Sequence, residues 1–419
     1  MAFRAGTRLG PHDRVLTVIA VAIVGGFAWY VMSPEERARV LRRVSTPYQH
    51  AQKVAARKAA PDPFAVALRE RTRIPLVMPG LVLLNLTLLV SMISGSGPLT
   101  DPDTLLNWGA SSGPRTTNGE WSRLVTSMFV HAGPLLFLVN TVALVQAGLI
   151  VERLAGHVAF ATIYLSAGVF ASLAAISSSP VTLNSGASGA VAGVYGLLIA
   201  TAMWGLVRRS PLTPSMRTMD GLAPCAILFT LVNGVSGALP IEAEITGFVT
   251  GVLGGLVMTC GVADRKPPLQ RVALAAGAAL TLTIAAAVPL RGITDATHEL
   301  ARIVEIETRI SDTYQRAVGQ FRLGTISAGQ LAKMIERSIM PELQAARTRL
   351  LSLTGVPAEQ QGLIASAEEY LRLRDESWRL RFEALSQSSM GQLRSAENKE
   401  RASLEVLDRI RPAVTVQQP

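Results

Sequence analysis

The chain reads as an all-α, polytopic membrane protein that continues into a soluble helical bundle. Three observations predict this. Hydrophobic residues make up 49% of the 419 residues and charged residues only 17%. Before residue 291 the apolar residues gather in runs of about 18 or more, the length that roughly 30 Å of hydrocarbon requires at about 1.5 Å per residue. From residue 291 onward the composition changes to 18 Lys/Arg and 17 Asp/Glu in segments with helical periodicity.

Eight spans are expected. The first, Val15 to Met32, follows Arg4, Arg8 and Arg14 in the manner of a signal peptide. It ends in Phe27-Ala28-Trp29-Tyr30 with no small-x-small cleavage site, so residues 1–32 are read as a retained membrane anchor. Residues 33–74 form a basic linker with ten Lys/Arg against four Asp/Glu. That excess outweighs the basic residues before the anchor and places the linker in the cytoplasm.

A six-span core over residues 75–265 follows, with spans expected at 76–94, 126–150, 157–178, 188–206, 221–239 and 243–262. The alternation is consistent: Arg208, Arg209, Arg217, Arg265, Lys266 and Arg271 fall on the linker's side. The loop 95–125, with Trp108 and Trp121, falls on the other. One additional span, Val272 to Leu290 within residues 266–291, then carries residues 292–419 outside. The basic excess of the front of the chain is therefore membrane topology, and no nucleic-acid partner is expected. Cys225 and Cys260 both sit in apolar segments, which favours buried thiols over a disulfide.

Within residues 292–419, breaks near Gly324-Thr325, Gly355-Val356-Pro357 and Ser388-Ser389 separate four amphipathic segments. Leu343, Ala346, Leu350 and Leu353, and likewise Leu371, Trp378, Phe382 and Leu385, recur at three-and-four spacing. An antiparallel four-helix bundle outside the membrane is the simplest architecture. The mixed-charge run 368–383 reads as its solvated face.

The chemistry concentrates at Asn184-Ser185-Gly186-Ala187-Ser188-Gly189-Ala190, which opens the span at 188. A serine beginning a helix between glycines permits close backbone approach and leaves helix N-terminal amides to stabilise an anion. Gly189 and Gly193 on that span, and Gly247, Gly251 and Gly255 on the last core span, have the small-xxx-small spacing of helices packed closely in lipid.

Residues 95–262 resemble the rhomboid family of intramembrane serine proteases. The resemblance is carried by Glu120-Trp121-Ser122-Arg123-Leu124, by Thr126-Ser127-Met128-Phe129-Val130-His131-Ala132-Gly133, by Asn140, by Gly148, Glu152 and Gly156, by Gly186-Ala187-Ser188-Gly189, and by Gly247 and Gly251. It implies that Ser188 holds the nucleophile position within the Gly186 and Gly189 motif. It further implies that Asn140 holds an oxyanion-stabilising position, and that His131 takes the place of a structural histidine. The active centre would lie below the membrane surface in a water-accessible cavity.

Three departures stand out. The position of the catalytic histidine, counted from Gly247 and Gly251, holds Glu244. A second expected histidine, one turn before Asn140, is Leu136. The aromatic residue expected one turn after the nucleophile is Ala192. All three would touch the missing imidazole or share its oxyanion site, so the changes are coherent. Each retained residue also has a plain packing reading: Ser188 as a small contact residue, Asn140 as an interhelical hydrogen-bond former, Glu244 as an interfacial carboxylate.

The expected function is a rhomboid-family pseudoprotease that binds transmembrane clients in the lipid bilayer, with a protein partner recruited by the bundle. The alternative is an active intramembrane endopeptidase using Ser188 with Glu244 as base. A third reading makes the core only an anchor for a bundle that does the binding. No cofactor or metal is expected. Short loops and a plain N-terminal anchor favour the bacterial plasma membrane.

Overall fold

The computed structural model describes residues 63–415, apart from residues 96, 209, 211, 212, 215, 238 and 260–264. The expected anchor, most of the basic linker and Cys260 lie outside the described residues. Described residues form helices joined by short loops. Seven of these helices are long and apolar enough to cross a membrane.

The last part of the expected linker is a short helix, α1 (Pro63–Arg71), whose Phe64 and Leu68 enter the membrane core cluster with Met78. The first span is α2 (Val77–Ser94). Its N-terminus is capped from a distance. The buried carboxylate of Glu152 accepts from the backbone N–H groups of Leu76, Val77 and Met78 at 2.7–2.8 Å. Those are orphan donors of a helix start, and a carboxylate there also opposes the helix dipole. The His157 ring nitrogen Nδ1 lies 2.6 Å from the same carboxylate.

Between the first two spans the chain folds into three short helices, α3 (Pro102–Asn107), α4 (Gly113–Thr116) and α5 (Arg123–Thr126), the last running into a 3-10 turn at Ser127–Phe129. The second span is α6 (Pro134–Ala155), not the expected 126–150. Gly133 has φ 135°, and Pro134, with fixed φ and no N–H, starts the helix after it. An apolar run had masked a turn. α7 (His157–Ser178) and α8 (Ser188–Arg208) follow. α9 (Met216–Ser236) begins and ends earlier than the expected 221–239 because Gly237 turns the chain at φ 66°. α10 (Ile241–Thr259) closes the core.

α8 is apolar all round and is accordingly buried, packing on α6, α7 and α10. Its contact with α10 is the most intimate in the membrane domain. A Cβ on Gly247 would overlap the Gly189 carbonyl oxygen, and one on Gly251 would overlap that of Gly193. A Cβ on Gly196 would in turn overlap the Phe248 carbonyl oxygen. The two helices therefore meet backbone to backbone.

α11 (Leu269–Ala287), extended by a 3-10 turn at Val288–Leu290, packs beside α7 and α10. The chain then docks before entering the bundle. Ile293 N–H donates to Thr117 Oγ1 at 3.2 Å and its carbonyl accepts from Asn118 Nδ2 at 2.8 Å. The bundle is thus pinned to the end of the core that carries the loop of α3–α5.

Its helices are α12 (Thr297–Arg322), α13 (Ala328–Met334) continuing through a π turn at Ile335–Ile339 into α14 (Met340–Ser352), α15 (Ala358–Gln387) and α16 (Met390–Thr415). The π turn precedes Pro341, which supplies no N–H to the ladder. Ile303, Ile306, Ile335, Leu343, Leu371 and Leu407 fill the centre.

The run 368–383 is a solvated face only in part: Glu369, Arg372, Arg379 and Glu383 are exposed, but two of its arginines are not. Arg374 is 1% exposed and Arg381 6%, with Tyr370 and Trp378 fully buried between them. Arg374 grips Glu307 with Nε and Nη2 at 2.8 and 2.6 Å and reaches Glu400 with Nη1 at 2.8 Å. Tyr370 donates to Glu307 at 2.6 Å, and Arg381 also pairs with Glu400. Both guanidinium groups lie over the Trp378 ring, at 4.8 and 5.0 Å. The charges look surface-like in sequence because their partners are 19 to 67 residues away.

Two predictions follow from this packing. Gly251→Ala should lower stability by about 1–3 kcal/mol, since the methyl group meets fixed backbone. Gly221→Ala, where nothing lies within 4 Å, should be neutral or stabilising by up to about 1 kcal/mol. Thermal unfolding in detergent compares the two. In the bundle, burial raises the Glu400 pKa, but the bonds from Arg381 and Arg374 outweigh it and hold the carboxyl below its ordinary value. A depressed folded-state pKa stabilises above the unfolded value of about 4.3 and is lost as pH falls through the folded one. Circular dichroism of the full chain should therefore show loss of bundle stability below about pH 4, less steep in Glu400→Gln.

Candidate active site

The segment before α8 is held by the loop that precedes α6. Ser111 and Asn184 form a two-bond antiparallel bridge, N–H to O at 3.0 and 2.8 Å. Gly113 N–H donates to the Pro180 carbonyl at 2.8 Å, where a side chain would not fit. Gly186 stands at φ 112°, a backbone conformation that favours glycine, and its N–H donates to the Ser127 carbonyl at 2.9 Å. These bonds end the loop and aim the first turn of α8.

Ser188 is the first residue of α8 and is 2% exposed. Ala187 accepts the first helical bond, from Val191 at 2.9 Å, so the amides that open α8 have no acceptor within the helix. Glu244 sits in the first turn of α10, 8% exposed. Its carboxyl lies beside the Ser188 hydroxyl. Its Oε1 is buried without a partner. Gly189 is packed on Ala171 and on Gly247, which brings the two helix starts together. The structure thus joins Ser188, Gly186, Gly189 and Glu244 in one place.

Asn140 is engaged elsewhere. Both hydrogens of its amide are used, by the Leu136 carbonyl at 2.8 Å and by Asn233 Oδ1 at 3.2 Å, while its own Oδ1 is buried without a partner. Asn233 in α9 in turn donates to the Phe229 carbonyl at 2.9 Å. In this arrangement Asn140 offers no hydrogen to an oxyanion. Sequence reasoning passed over Asn233, although an asparagine in the middle of an apolar span, where an unpaired amide is costly, was the available signal.

Among the described residues no hydrogen bond joins a histidine to Ser188. His131 Nδ1 is 3.2 Å from the Phe129 carbonyl, its ring meets Phe137 edge-on at 5.5 Å, and its Nε2 is buried without a partner. His157 is paired with Glu152, and His298 lies in the first turn of α12. Ala192 is buried in the core cluster, leaving no ring over Ser188's helix turn. What the arrangement can do chemically is limited to a carboxylate facing a hydroxyl at a helix N-terminus.

Comparison with known proteins agrees with this architecture. The family model for the Rhomboid domain matches residues 118–264. Rhomboid protease GluP of Bacillus subtilis (strain 168) is 32% identical over 168 residues, which are 40% of this chain and 31% of that protein. Rhomboid protease AarA of Providencia stuartii is 25% identical over 214 residues, 46% of this chain and 76% of that one. RHOMBOID-like protein 7 of Arabidopsis thaliana is 28% identical over 173 residues, 39% and 52% of the two chains. The chain spans about a third of the length of GluP and half that of the plant protein. The family match ends before α11 and the bundle.

Burial lowers the His131 pKa from 6.5 to about 4, so the ring is neutral at pH 7. Because the folded value is the lower one, the native state should lose stability as pH falls from about 6.5 to 4, by roughly 3 kcal/mol. In His131→Gln that part of the pH dependence should vanish from urea unfolding curves, while the acid loss below pH 4 persists.

Proposed function

The chain belongs to the rhomboid family, and on that premise we propose that it is a pseudoprotease of the multi-pass, plasma-membrane type in bacteria. It binds transmembrane client proteins and alters their assembly or their access to true proteases. The observation that carries this reading is that Glu244 is the group beside Ser188. The nucleophile position is kept, its helix start is built with care, and the group facing it is a carboxylate where an imidazole would be the base. Acyl transfer also needs donors at the developing oxyanion, and losing one typically costs about 10²–10³ in rate. Here the Asn140 amide is committed to Leu136 and Asn233, and Leu136 itself stands where a further donor would be. The docking of the chain at Thr117 and Asn118, ahead of the bundle, supports a role for the bundle in recruiting a soluble protein partner.

One feature favours a second reading. Glu244 is a buried carboxylate beside the Ser188 hydroxyl, and its Oε1 has no hydrogen-bond partner. An active intramembrane serine endopeptidase with Glu244 as base would use that contact.

A fluorophosphonate probe separates the two. The wild-type protein in detergent or bilayers should stay unlabelled at Ser188, and Glu244→His alone should not cleave a model transmembrane substrate, given Leu136 and Ala192. Labelling that disappears in both Ser188→Ala and Glu244→Gln would establish the protease instead.

A further inference from the structure

We propose that the groove between α7 and α11 is a binding site for one acyl chain of an anionic phospholipid, with Arg291 holding the phosphate. The groove encloses about 560 Å³ and lies outside the family-matched segment on one wall. It exists because α11 packs loosely: Val272 is its one buried residue. Thr162 and Ser166 of α7 face Ala279 and Thr283 of α11, small side chains that leave a channel where larger ones would close it.

The lining has the polarity of a lipid. Along the channel it is almost wholly apolar, while at its mouth stand Trp121 and Arg291. Tryptophan marks the membrane–water interface, where an amphipathic ring is at its lowest energy. The mouth lies beside the docked residues Thr117, Asn118 and Ile293, so it opens at the end of the core that carries the bundle.

The length fits as well. From Ala276 to Ala287 the wall runs eleven residues, about 16 Å at about 1.5 Å per residue. That is close to half of roughly 30 Å of hydrocarbon, the depth of one leaflet. A channel meant for a spanning helix would continue to the other side.

Arg291 also lacks a carboxylate. Glu120 is taken by Arg115 and Arg123, and Asp295 accepts from Thr297 N–H and Gln360. Among the described residues no ion pair includes Arg291, and no acidic side chain lines the groove. A guanidinium at the interface above an apolar channel is complementary to a phosphate joined to an acyl chain.

Native mass spectrometry of the full-length protein, offered phosphatidylglycerol or phosphatidylcholine with the same acyl chains, tests this. The wild type should retain one phosphatidylglycerol per chain. Arg291→Gln should weaken that retention about fivefold, the effect of one basic side chain at an anionic surface, and leave phosphatidylcholine unchanged. Ala279→Trp should abolish retention of both. Quenching of tryptophan fluorescence by phosphatidylglycerol brominated in its acyl chains supplies a readout that needs no groove-filling variant, and Trp121→Phe should remove the quenchable share. Retention unaffected by either groove substitution, or a Trp121→Phe protein quenched like the wild type, would overturn the proposal. So would a groove that holds an added transmembrane peptide and releases both lipids.

Discussion

The contact between α8 and α10 sets the rest of the membrane domain. In lipid, apolar side chains gain little by leaving the tails for one another, so helices associate through close packing and polar contacts. Gly189, Gly193, Gly247 and Gly251 let the two backbones touch, and each contact forbids a side chain at its own position. Both helices start at the same end of the core, so their first turns are brought together. The proximity of Ser188 and Glu244 is a consequence of that register. Shifting α10 by one residue would rotate Glu244 by about 100° away from the serine.

Much of this was legible in the residues. Span existence follows from apolar run length, and the glycine spacing foretold which two helices would meet closely. The site residues could be placed because they begin helices, where Gly186 and the first turn of Ile241–Thr259 leave few alternatives. Boundaries were less legible. The run from Thr126 through Ala155 is apolar enough to hide a turn, and only Gly133-Pro134 betrays the true start. Asn140 was misleading in another way: its type was readable, but its partner Asn233 lies 93 residues on, in a different helix.

The bundle shows the same limit with charge in place of apolarity. Residues 368–383 alternate acids, bases and aromatics like an exposed face, yet Arg374 and Arg381 are buried. Nothing local distinguishes the two cases. The difference lies in Glu307 on α12 and Glu400 on α16, which meet the guanidinium groups across the bundle with Trp378 between. Removing one partner of such a group leaves a buried charge unpaired, at a cost of about 3–5 kcal/mol.

These constraints explain how the helix packing stands apart from the chemistry of the Ser188 site. The α8–α10 contact is made by backbone and hydrogen atoms, so it is indifferent to whether residue 244 carries an imidazole or a carboxylate. The loop that aims Ser188 is held by main-chain bonds at Ser111, Gly113 and Gly186, none of which involves a catalytic side chain. Asn140 keeps α6 and α9 together through Asn233 rather than waiting for an oxyanion. Packing and chemistry are therefore separable in this fold. At the start of α8 the tight position is Gly189, where a Cβ would overlap that of Ala171, and it stays tight whatever group faces Ser188.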